Sequence, residues 1–229
     1  WRRPMFRQMI APLLFGIVGV AILLNLGIWQ SKRLIWKETI LTEIDERIAM
    51  ASVPLPDSAT EEDDEYLTVW AEGHFLPGEI HVLTSSQKSG PGYRVITRFD
   101  LGARIILVDR GFIPQSEKDT ARAPVGGKIT GNLSWPDEVD AKFTPKPNLE
   151  TNIWFARDLP AMAAYLKAEH LLIVLRPPSV GDEAVIPWPI TRTGIPNNHL
   201  NYAITWFLLA VAWFGMTGYW LWRIRRQSV

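Results

Sequence analysis

The sequence predicts a membrane-anchored α + β protein. Two transmembrane helices flank a small, mostly antiparallel β domain, a barrel or a curled sheet with one or two helices. Three observations carry that prediction. Residues 8–31 form an apolar run without one Asp, Glu, Lys or Arg, and so do residues 197–222. Each is long enough to span, since a bilayer core needs about 20 apolar residues. Between them, residues 66–175 carry about seven short strand signals punctuated by Gly and Pro.

Residues 1–7, WRRPMFR, are a basic tail with Arg2, Arg3 and Arg7. Residues 8–31 read as a retained anchor. A secretory signal peptide has a shorter apolar region and a small-residue cleavage site, whereas this run ends in Gly27, Trp29 and Gln30, followed by Lys32 and Arg33. Asn25 lies inside the run, as interhelical glue or as the mark of a polar site. Residues 32–50 continue as a juxtamembrane stalk helix, with Leu34, Ile35, Leu41, Ile44 and Ile48 near one side. Arg33 and Lys37 stand one turn apart. They read either as snorkelling bases beside anionic headgroups or as a clamp for carboxylates of a ligand between the helices.

Residues 51–192 are the extracytoplasmic β domain. A Pro-punctuated acidic loop over residues 51–65 opens it. Tyr66–Phe75 and Glu79–Ser85 read as strands of one hairpin, turned at Gly73, Pro77 and Gly78. Tyr93–Phe99 follows the loop Ser89–Gly92. Arg104–Val108 ends in a tight turn at Asp109-Arg110-Gly111, Gly being suited to positive φ. After a polar loop over 114–127 come the strand Lys128–Trp135 and a Pro-rich loop to Asn152. Ile153–Ala156 is short and apolar. Asp158 caps a helix over Leu159–Ala168, with Pro160 in its first turn. Leu171–Leu175 is a buried strand closed by Pro177-Pro178.

Residues 197–222 form the second span, and residues 223–229 a second basic tail with Arg223, Arg225 and Arg226. At 100° per residue, His199, Ala203, Trp206, Ala210, Trp213, Thr217 and Trp220 share a face. An imidazole above small residues and indoles suits a flat, greasy ligand with a metal centre. The same residues also read as a capping or hydrogen-bonding His above a helix-packing face with interfacial Trp. Spacing leaves both readings open. The basic flanks put both termini on the cytoplasmic side, or the matrix side, and the middle of the chain opposite. Lys32, Arg33, Lys37 and Arg192 then lie near the membrane on the far side.

Composition narrows the function. Net charge is zero, so nothing indicates a nucleic-acid partner. The absence of Cys excludes disulfides, thiolate zinc, iron–sulfur ligation and c-type haem attachment. Of 11 Trp, most lie in or beside the two apolar ends, as interfacial residues do. His74 and His81, on neighbouring strands of the expected hairpin, lack a third ligand at a metal spacing. No nucleophile elbow, P-loop or dinucleotide fingerprint is present, and the Asp109–Arg110 pair is explained as well by a turn. The chain does not read as an enzyme.

Four segments, in order, carry a resemblance. Leu26-Gly27-Ile28-Trp29-Gln30 with Arg33 and Lys37 ends the first span. Gly73-His74-Phe75, Gly92-Tyr93-Arg94-Val95 and Val108-Asp109-Arg110-Gly111-Phe112-Ile113-Pro114 mark the β domain. Asn152-Ile153-Trp154-Phe155 with Asp158 follows. Asn198-His199-Leu200-Asn201-Tyr202-Ala203-Ile204-Thr205-Trp206 opens the second span. This ordered set resembles the Surfeit-locus-one family (also called Shy), with Phe112 where the family commonly has Trp.

The resemblance implies an assembly factor for aa3-type haem–copper cytochrome c oxidase, not an enzyme. It implies haem a as a transiently bound cargo, passed to oxidase subunit I. The family's haem-associated His corresponds to His199, the expected ligand of the haem iron. Tyr202 and Trp206 on the second span, and Trp29, Gln30, Arg33 and Lys37 on the first, complete the expected cofactor-binding set. Arg33, Lys37 and Arg192 are inferred from topology as propionate partners, and His199 is expected to face Trp29 and Arg33. Subunit I, haem A synthase and membrane lipid are the implied partners. The competing reading is a haem-independent scaffold that stabilises subunit I or couples it to haem A synthase. A third is a generic two-span protein with a ligand-binding domain. The expected location is a bacterial inner membrane, multi-pass, with both termini cytoplasmic and the domain periplasmic. The alternative is the mitochondrial inner membrane. The chain starts at Trp1, so a preceding segment is expected.

Overall fold

No Pro or Gly falls between Ser31 and Ala49 to stop a helix once it has left the first apolar run. In the computed structural model a single helix, α1, accordingly runs from Met5 to Ala49. The hydroxyls of Ser31, Thr39 and Thr42 donate back to the carbonyls four residues earlier, so these polar groups do not interrupt it. The structure describes residues 5–86, 88–122, 125–177, 185–191 and 197–227, with side chains from Met9 onward. The chain divides into two compact units: residues 1–43 with 193–229, and residues 44–192.

The first unit is built on α1 and on α4, His199–Gln227. Both helices are long and apolar enough to cross a membrane. They meet along a seam of small residues. A methyl group at Gly16 would collide with Thr217, one at Gly19 with the indole of Trp213, and one at Gly27 with Phe207. Ala203 and Ala210 are buried on the facing helix. Small residues let two backbones approach, which is how spanning helices gain packing contact. The Phe15 and Trp213 rings pack at 5.2 Å. The expected face of α4 is realised from His199 to Thr217, each member buried or half-buried. Trp220 departs from it at 48% exposure. It lies about 60° off the stripe's centre, and Leu221 takes its place. Asn25 does not glue the helices: it is exposed, and its amide returns to the Ala21 carbonyl.

The second unit is a mixed sheet. Its strands are β1 Val53–Pro54, β2 Thr68–Ser86, β3 Gly90–Asp100, β4 Ile105–Pro114, β5 Gly126–Ser134, β6 Ile153–Trp154 and β7 Leu172–Leu175. β5 pairs with the first half of β2 and β3 with the second half. β4 and β7 link β3 to β5. The sheet curls sharply along β2, but it is not a clear barrel. Its long pairings are antiparallel, as expected, and short parallel pairs join β1–β2, β2–β6 and β4–β7.

Three elements correct the sequence reading. The hairpin expected over residues 66–85 is one strand, β2, with a register shift between Phe75 and Glu79. Asp109-Arg110-Gly111 is not a turn but the middle of β4, opposite a register shift at Val95/Ile96. The acidic loop contains β1 and a four-residue helix, α2, Glu61–Asp64, capped by the Thr60 hydroxyl.

Both faces of the sheet are buried. Val69, Phe75, Phe99, Ile106, Val108 and Ile173 pack inside the curl. Ile80, Ile96, Leu107 and Leu172 pack outward against α3, Leu159–Leu166. Alternation along β4 and β7 therefore reads as one continuous apolar run. α3 presents Leu159, Met162, Ala163 and Leu166 at helical spacing. The Asp158 carboxylate accepts the Ala161 N–H at 3.1 Å, as the expected cap. The end of α1, which belongs to this unit, is tied to the sheet. Arg176 and the Thr68 hydroxyl both donate to the Ile48 carbonyl, at 2.7 and 2.9 Å. That carbonyl is one of those a helix end leaves without an intrahelical partner.

Candidate functional site

His199 is the first residue of α4. Gln30 lies on α1 three residues after Gly27, on the same seam, and is buried. Their side chains meet: His199 Nδ1 lies 2.8 Å from Gln30 Oε1. An amide oxygen only accepts, so Nδ1 carries the proton and donates it. In the neutral ring, Nε2 then keeps its lone pair. This is how a polar neighbour fixes the tautomer and orientation of a ligating His. The arrangement offers one oriented nitrogen donor at the end of a helix pair.

The remaining expected residues divide between two sides of α1. Lys37, two turns beyond Gln30, is half-buried on the Gln30 side. Trp29 is 57% exposed, a third of a turn away. It lines a shallow notch on α1 with Val18, Ile22 and Asn25. Arg33 continues that outward stripe, and its guanidinium stacks on the Trp36 ring at 3.8 Å. The expectation that His199 faces Trp29 and Arg33 is therefore replaced by the Gln30 contact, because residues 29 and 33 lie about 100° and 60° around the helix from residue 30. On α4, Trp206 is half-buried two turns from His199, and Tyr202 is exposed. Arg192 lies outside the described residues. The Gln30–His199 pair had a signal in the sequence, since Gly27 and Gln30 share a face at a spacing of three.

In the sheet domain, motif residues hold the fold. The fully buried Asp109 accepts Arg94 Nε at 2.6 Å on one oxygen and the Gly111 N–H at 3.1 Å on the other. Arg157 approaches the same carboxylate at 3.7 Å and pairs with Glu138 through two of its nitrogens. Burial alone would raise the Glu138 carboxyl, but the hydrogen bond and charge of Arg157 hold it below the usual range. Arg94 also donates to the Trp188 carbonyl at 2.8 Å, and Phe112 packs on the Trp188 ring. Arg110 lies over the Phe75 ring, 4.6 Å away. His74 and His81 are on one strand and do not meet. His74 is exposed beside Asp100, while His81 is buried against Glu79 at 2.8 Å. Among the described residues, no group of three His, Asp or Glu could hold a metal ion.

Comparison with known proteins agrees with the motif pattern. The SURF1 family model matches residues 17–211. A "SURF1-like protein" of Drosophila melanogaster is 31% identical over 90% of this chain and 76% of its own length. "Surfeit locus protein 1" of Homo sapiens is 33% identical over 83% of this chain and 72% of its own. A "SURF1-like protein" of Rickettsia prowazekii (strain Madrid E) is 28% identical, covering 83% and 81% respectively.

Proposed function

The chain belongs to the SURF1 family, and from that premise we propose that it is a non-enzymatic assembly factor for aa3-type cytochrome c oxidase. It holds haem a as cargo and promotes its insertion into subunit I, in association with haem A synthase. α1 and α4 anchor it in an inner membrane, with both termini cytoplasmic and the sheet domain on the outer side.

The observation that carries this reading is the 2.8 Å contact between His199 Nδ1 and Gln30. It leaves Nε2 as an axial donor for iron, the role a neutral imidazole performs well. A buried amide behind the ring fixes its orientation without adding charge. Trp206, half-buried two turns along α4 from the ring, offers apolar contact to a macrocycle and its tail. Lys37 on the Gln30 side and Arg33 on the neighbouring stripe are the propionate partners this reading assigns. A single side-chain ligand suits a carrier, which must release what it holds.

The test is an absorbance spectrum of the detergent-purified protein, co-expressed with haem a biosynthesis, beside His199→Ala. A haem a Soret band that the variant loses while staying folded supports the holding site. No haem in either sample would favour the haem-independent scaffold. Equal haem in both would move the ligand elsewhere.

A further inference from the structure

The sheet domain contains a second site that the haem reading does not use. The apolar interior of the curl ends beyond Phe75 and Val108 in polar residues. A cavity of about 300 Å³ opens there. Its wall is formed by the bulged part of β2, by Thr97 of β3 and Arg110 of β4, and by the segment 118–122. Three cations line it: Arg110, Lys118 and Arg122. Two are almost completely enclosed, Arg110 at 4% exposure and the Arg122 side chain at 2%. Of the two carboxylates in the wall, Asp119 projects into water. Glu79 is engaged by Arg122 at 2.6 Å and by His81 at 2.8 Å.

The fold fixes these cations independently. Arg110 is held over the Phe75 ring, where water is excluded from one side of the guanidinium. Arg122 donates to the Thr120 and Glu117 carbonyls, closing its own loop around it. Lys118 donates to the Thr151 carbonyl at 2.7 Å. Yet the wall has donor capacity left. Arg122 Nε and the Thr97 hydroxyl are buried without a hydrogen-bond partner among the described residues. Buried donors are ordinarily satisfied, so these two leave hydrogen-bonding capacity for an acceptor in the cavity.

We propose that this cavity binds a small oxyanion, a carboxylate or phosphate group, between Arg110, Arg122 and the Thr97 hydroxyl. Guanidinium and hydroxyl donors match the oxygens of either group, and charge-assisted bonds in an enclosed wall are the strong ones. The volume is at the low end of ligand sites, roughly 300–1,000 Å³. It suits a phosphate or a short carboxylate, not a macrocycle. The site therefore stands or falls separately from haem binding at His199.

The experiment uses the full chain in detergent, in a buffer free of phosphate and carboxylate. Inorganic phosphate and succinate are titrated separately, with sodium chloride at matched ionic strength as control. Thermal unfolding and calorimetry are the readouts. A saturable rise in the unfolding midpoint with either anion, absent with chloride, is the expected result. Saturation by phosphate alone assigns a phosphate-bearing ligand, and saturation by succinate alone a carboxylate one. Arg122→Gln also removes contacts that hold the 115–122 segment, so it is not the deciding variant. Thr97→Val keeps the side-chain shape and should leave the ligand-free midpoint unchanged while weakening the anion roughly tenfold. Arg110→Gln should abolish the response. No saturable response to either anion, or a response in Thr97→Val and Arg110→Gln as strong as the parent's, overturns the site.

Discussion

Gly111 is a residue whose identity the backbone dictates. Its φ is +123°, and a side chain there would run into the Ile186 carbonyl. That carbonyl accepts the Phe112 N–H, and Phe112 in turn accepts from Ile186, both at 2.8 Å. Gly111→Val therefore meets backbone strain and displaces a bridge. It should cost at least about 2 kcal/mol and lower the unfolding midpoint of the sheet domain. Unchanged thermal unfolding would remove this account. Glu138 acts through charge. Its folded pKa lies below the ordinary carboxylate value because Arg157 outweighs the effect of burial. The stability it contributes is full above the ordinary value and is lost as pH falls through the lowered one. Glu138→Gln should flatten that acid limb relative to the parent. Glu65, raised chiefly by burial, has the opposite sign and is common to both proteins. Equal acid limbs would show that Arg157 gains nothing from the pair. Gln30→Leu tests the candidate site itself. It keeps the seam filled but removes the acceptor from His199 Nδ1. Haem retention should fall about tenfold or more, as when the partner behind a ligating His is lost. Full retention in absorbance titrations would mean that something else orients the ring.

The helix seam belongs to the element scale. Gly16, Gly19 and Gly27 work as a set, because each leaves room for a side chain of α4. Gly19→Leu should push Trp213 aside and part the helices. Haem retention should drop while the sheet domain keeps its midpoint, and a variant with full haem would separate the site from the seam. The α4 side of this seam was legible in the sequence, since period 3.6 and small residues mark a packing face without tertiary information. The sheet was less legible, for an identifiable reason. Pro77-Gly78 reads as a turn, yet it sits in the register shift of β2, where the ladder has a gap for a residue without an N–H. Gly78 has positive φ, and the Pro77 carbonyl accepts from Arg98. Asp109-Arg110-Gly111 repeats the pattern in β4. Turns and bulges ask for the same residues, and only the partner strand distinguishes them. The site was legible to the same extent. Gln30 and His199 stood in the motifs, but which face of α1 met α4 depended on Gly27 rather than on the more conspicuous Trp29 and Arg33.

At the scale of the whole molecule, the two units have separate means of holding together. The interior clusters of the sheet domain draw only on residues from 55 onward. Among the described residues, that domain is tied to the last turn of α1. Arg176 and Thr68 donate to the Ile48 carbonyl, and Arg47 reaches the carbonyls of Asp63 and Glu65 at 3.1 and 3.2 Å. A fragment of residues 44–192 retains all of these contacts. It should fold without detergent and unfold cooperatively, since both faces of its sheet are already covered. A fragment starting at Ala51 leaves the Arg176 guanidinium without its main-chain acceptor at Ile48, and should melt several degrees lower. The longer fragment also separates the two proposed binding activities. Lacking Gln30 and His199, it should take up no haem a in an absorbance titration. Keeping Thr97, Arg110 and Arg122, it should respond to the same oxyanion as the full chain. Haem uptake by the fragment would locate the cargo site in the sheet. Loss of the anion response from a folded fragment would mean that the cavity depends on the helix pair.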